Sequence, residues 1–122
     1  MISESKLLDM SIDDLDLEIG RSLLADELGS KDISDSEVRS AARRWLQSNL
    51  VRFRTGVCSS TMVRDQLMGK SKKTRNELFA AVLDALLKVG GLGPVPVASL
   101  TARLIHYGLE QLCPEFAEGQ SP

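Results

Sequence analysis

Between positions 39 and 75 the sequence places ten Lys and Arg residues against a single acid, Asp65, a local net charge of +9. Arg39, Arg43, Arg44, Arg54, Arg64, Lys70, Lys72, Lys73 and Arg75 are the candidate anion-binding residues, and Arg52 completes the block. Seven of the ten are arginines, whose planar guanidinium grips a phosphate or carboxylate through two parallel N–H bonds. One outlet for such a block is a nucleic-acid backbone; another is an acidic partner. A third is internal. Residues 1–38 hold 11 acidic and 3 basic residues, a net of −8, while residues 76–122 carry −3, so the overall −2 conceals the pattern. An acidic total weakens long-range steering toward nucleic acid without forbidding a local patch. Aromatic residues are only 4% of the chain, which counts against a base-stacking platform.

Other residues with chemical potential lack the context that chemistry needs. Gly69-Lys70-Ser71 matches the end of a phosphate-binding loop, but position 64 is Arg where that motif needs Gly, and no strand precedes it. Gly90-Gly91-Leu92-Gly93 follows a helical pattern, so its glycines mark a helix stop and a tight turn. His106 is the sole histidine, and no ligand spacing around it suits a metal. A nucleophilic pair of His106 with Cys58 or Cys113 would have to form in space, since no sequence spacing signals it. The simpler expectation is that His106 partners Glu110 one helical turn away. Cys58 and Cys113 have no close-spaced cysteine neighbour. They are expected to be small buried apolar residues; a disulfide between them is possible, but nothing in the sequence supports it. Asp13, Asp14 and Asp16 lack the glycine and final Glu of a calcium loop and suit the start of a helix.

The elements that position these residues are helices. Ser11-Ile-Asp-Asp14 and Ser34-Asp-Ser-Glu37 have the form of capping boxes, and Thr74-Arg-Asn-Glu77 is a third. After the first, Ile12, Leu15, Ile19 and Leu23 recur at helical steps, with Gly29 as the expected stop. After the second, Val38, Ala41, Ala42, Trp45, Leu46 and Phe53 share one face, with Gly56 as the expected end. On that helix Arg39, Arg43 and Arg54 fall within about 60° of one another. Trp45 belongs to the core face, and Asn49 lies inside the apolar arc and needs a partner. Residues 60–68 form a short helix. Leu78–Val89 is apolar nearly all round and belongs at the centre of a bundle. The last helix runs from about 97 to 112, with Ser99, Arg103, His106 and Glu110 as one polar stripe.

The expectation is an all-α, compact, single-domain bundle of four to five helices with a buried C-terminal helical hairpin. A loose N-terminus spans 1–10, the helical domain 11–113 and a loose tail 114–122. There is no secretory-signal pattern and no apolar run long enough to span a bilayer, so a soluble, cytoplasmic chain without a membrane role is expected. No cofactor, metal or small-molecule substrate is implied. The expected function is that of a non-enzymatic protein-interaction module: an adaptor, a regulator or a small subunit that binds a protein partner or itself. Its motive is the apolar hairpin, which needs covering. The alternative is a nucleic-acid-associated protein using the basic segment 39–75.

Overall fold

The computed structural model describes residues 4–25, 33–68 and 75–114. Helix α1 spans Glu4–Asp9. Ser11 then caps α2 (Ile12–Leu23), its Oγ accepting from the Asp14 N–H at 3.1 Å. Ser34 does the same for α3 (Asp35–Cys58), accepting from the Glu37 N–H at 3.2 Å. In both, a serine oxygen satisfies a backbone donor that the helix itself cannot, and first-turn acids favour the same helix end. The Ser60 hydroxyl accepts from Val63 at the start of α4 (Thr61–Met68). Helices α5 (Arg75–Val89), α6 (Val97–Tyr107) and α7 (Leu109–Leu112) complete the described chain. Gly29, Thr74 and the tail 115–122 lie outside the described residues.

The class is all-α, with seven helices and no strand among the described residues. Two helices exceed the expected four to five, for separate reasons. Glu4–Asp9 form a helix where a loose end was expected, because Leu7 and Leu8 are both buried, packed with Leu15, Phe79 and Ala102. The last helix is divided because Gly108 adopts φ +107, a region open to glycine but costly for side chains with a Cβ. His106 and Glu110 therefore belong to different helices, which removes the expected helical partnership between them.

The most enclosed element is α6, not α5. Every residue from Ser99 to Leu104 is buried, and α6 packs against α1, α2, α5 and α7. Helix α5 packs on α1, α3, α4 and α6 but leaves Leu87 59% exposed. The consecutive pair α5–α6 is covered largely by the chain's own helices. Phe53, Leu86, Leu100 and Leu104 meet in one cluster with Ile19 and Val63. Each such side chain stabilises the fold by roughly 1.5–3 kcal/mol when fully buried.

Two glycines set the helix spacing. A Cβ on Gly20 would collide with the Val38 carbonyl oxygen, so α2 can lie this close to α3 only without one. Gly56 does not end α3 as expected. It lies inside the helix, where a Cβ would strike Val89 of α5. Its signal was one of close approach, which sequence alone does not separate from a stop. Asn49 finds its partner locally, donating from Nδ2 to the Trp45 carbonyl at 2.8 Å. Trp45 itself packs on the core, its ring 5.4 Å from that of Phe53. No described helix is long and apolar enough to cross a membrane.

Candidate interaction surface

The helix phase of the basic segment decides the fate of each arginine. Arg43 faces α2 and forms ion pairs with Asp13 at 2.9 Å and with Asp16 at 3.1 Å. Asp16 is 1% exposed and also receives Arg103 Nε from α6 at 2.6 Å. Beside it, Ser99 donates to the Glu18 carboxylate at 3.0 Å. Two members of the expected polar stripe, Ser99 and Arg103, are thus buried against the acidic face of α2. The third, His106, places Nε2 2.9 Å from the Leu8 carbonyl of α1. Part of the acidic first segment neutralises part of the basic one inside the molecule. A charge removed from water needs such pairing, since its desolvation cost is several kcal/mol.

Arg52 is also engaged in the fold. Its Nη2 donates to the Gly91 carbonyl at 3.0 Å, and its guanidinium carbon lies 5.6 Å from the Phe53 ring centre. This ties α3 to the link between α5 and α6. There Gly90, Gly91 and Gly93 all have positive φ, as a tight connection after a helix requires.

The remaining arginines point elsewhere. Arg44, Arg54 and Arg64 are exposed, and Arg39 is half-buried. Arg39, Arg44 and Arg64 make no ion pair or hydrogen bond among the described residues. Lys70, Lys72 and Lys73 lie outside the described residues, as does the phosphate-loop-like Gly69–Ser71. Arg75 opens α5, with its side chain undescribed. The structure therefore does not gather the nine candidates into one described patch. It withdraws Arg43 from the stripe that Arg39, Arg43 and Arg54 were expected to share.

A groove that sequence analysis did not single out runs between the α3–α4 junction and α5. It encloses about 340 Å³ and is lined by Ser59, Thr61, Met62, Asp84, Lys88 and Val89, among others. Met62 is 50% exposed on its wall, and Asp84 pairs with Lys88 at 3.3 Å along α5. Leu87, next to Lys88, is exposed as well but does not line the groove. The available signal was Met62, which is apolar, but its exposure depends on how α4 and α5 pack.

The two cysteines overturn the expectation that they are separate thiols. Cys58, at the end of α3, is joined by a disulfide to Cys113, just after α7, with the Cα atoms 5.6 Å apart. Neither sulfur is then a free nucleophile for His106, whose ring is held at Leu8. No family model, curated protein or solved structure matches the chain. Any functional reading must rest on these surfaces. The described residues hold no cluster of three or more potential metal ligands.

Proposed function

We propose that the chain is a non-enzymatic helical protein-interaction module whose contact surface is the groove between the α3–α4 junction and α5. The observation that carries this is a large exposed apolar side chain, Met62 at 50%, on the wall of a lined concavity. The original motive, an uncovered apolar hairpin, no longer supports it, because α5 and α6 are largely enclosed by the chain itself. What supports it now is smaller and more local. An apolar side chain from a partner would bury against Met62 and Val89, while the groove's hydroxyls and the Asp84–Lys88 pair would meet that partner's polar rim.

A photo-crosslinking amino acid at position 62, in the cell that makes the protein, tests this. The expected result is one discrete protein adduct, absent when the same group stands at exposed Gln47 on α3. An adduct of twice the chain's mass identifies self-association. Equal, diffuse labelling at both positions would overturn the proposal.

The second reading, nucleic-acid association, keeps support from Arg44 and Arg64, exposed and without an acidic partner among the described residues. It requires binding to DNA or RNA that weakens steeply with salt, as released counterions dictate. No mobility shift at low salt removes it.

A further inference from the structure

The one covalent tertiary contact ties down the shortest described helix. Helix α7 has four residues and follows Gly108, whose φ of +107 interrupts α6. So short a helix has no stability of its own. The N–H groups of Gln111, Leu112 and Cys113 donate to Gly108 and Leu109, all within the same turn. What attaches the segment to the body is the burial of Leu109, Leu112 and Cys113, together with the bond from Cys113 to Cys58 on α3. On its outer side α7 borders a groove that includes Leu67 of α4, Leu78 of α5 and Ile105 of α6. By contrast, α2, α3, α5 and α6 hold one another through long faces and the Asp16 ion pairs.

We propose that the Cys58–Cys113 disulfide is a redox clasp, whose reduction frees residues 109–113 to turn about Gly108 and widens the groove lined by Leu67, Leu78 and Ile105 while the helical body stays folded.

Burial of the two cysteines sets the order of the exchange. Cys113 is fully enclosed and Cys58 is half-buried, so the exchange is assigned to attack at Cys58. The reductant is a dithiol, small or proteinaceous. Its first thiolate bonds to Cys58 Sγ, the Cys58–Cys113 bond breaks, and Cys113 leaves as a thiolate that takes one proton. The second thiolate attacks the reductant's own sulfur in the mixed disulfide. Cys58 departs, takes the second proton, and the reductant leaves as its cyclic disulfide. Two electrons and two protons have passed from dithiol to protein. Oxidation by a disulfide of the same class runs the sequence in reverse and closes the clasp.

Hydrogen exchange read by mass spectrometry on the oxidised chain and on the chain reduced with dithiothreitol tests the clasp. Reduction is expected to raise exchange at 109–113 at least about tenfold, with protection of α2 and of residues 38–53 unchanged, as for a local opening. Unchanged protection at 109–113 would overturn the proposal, and so would a loss of protection in all helices together, the mark of a global staple. A Cys58→Ser, Cys113→Ser double variant should show the reduced pattern with or without reductant; the wild-type comparison stands if that variant does not fold. Brief exposure to glutathione, followed by acid trapping, should place the adduct on Cys58. An adduct on Cys113 instead would refute the order of attack.

Discussion

Arg43 and Arg44 are neighbours in sequence and opposites in fate. The 100° step of an α-helix turns Arg43 toward α2, where two aspartates take it up, and turns Arg44 to solvent with no partner among the described residues. The same contrast separates two regions of the molecule. The seam between α2, α3 and α6 is polar, paired and largely enclosed. Away from the seam, Arg44 on α3, Arg64 on α4 and Met62 on the wall of the groove are exposed, and neither arginine has an ion pair among the described residues. Charge near the seam has been spent on holding three helices in register, while exposed groups on the other side remain available to a partner. A high local charge is therefore a poor guide to a binding patch until helix phase and neighbours are known.

The sharpest way to break this contrast is at Asp16. Asp16→Ala leaves Arg103 with a buried, unpaired guanidinium and should cost about 3–5 kcal/mol, read as a lower midpoint in urea denaturation. Arg103→Ala should cost more than Arg43→Ala, because the Arg103 side chain is 10% exposed and that of Arg43 is 50% exposed. Equal losses at the two positions would mean that the seam is not graded by burial. Gly20→Ala tests the helix spacing that brings α2 to α3. The added methyl meets a backbone oxygen that no rotamer change can move, so a loss of about 1–3 kcal/mol is expected. Ser34→Ala removes the α3 cap and should cost about 1 kcal/mol. Arg44→Ala should change stability by less than about 0.5 kcal/mol. A larger loss at Arg44 would place it in the structural set and erase the contrast. These six variants order the two regions by calorimetry or denaturant titration alone.

Helix positions were legible because their signals are local. Ser11 and Ser34 act within one turn of themselves, and the apolar spacing of α2 and α3 reads directly as a buried face. The polar stripe on the last helix was also legible as a stripe. Its meaning was not, because whether Ser99 and Arg103 face water or Glu18 and Asp16 depends on residues more than 80 positions away. Gly56 and Gly108 show the same limit from the other side. Glycine permits both a close helix contact and a helix break, and only the packed neighbours show which one operates. The groove at Met62 was missed because exposure of a methionine on a short helix has no periodic signature.

The amino-acid sequence by itself determined that this chain is helical, where its capped helices begin, and that acid and base are segregated along it. Those properties follow from interactions within a few residues. Tertiary structure alone decided that Arg43 and Arg103 converge on Asp16 and that Arg44 stays open. It also decided that Cys58 and Cys113, 55 positions apart, meet in a disulfide. Each of these depends on bringing distant segments within a few ångströms, which local propensity does not encode and the packing of one helix on another does.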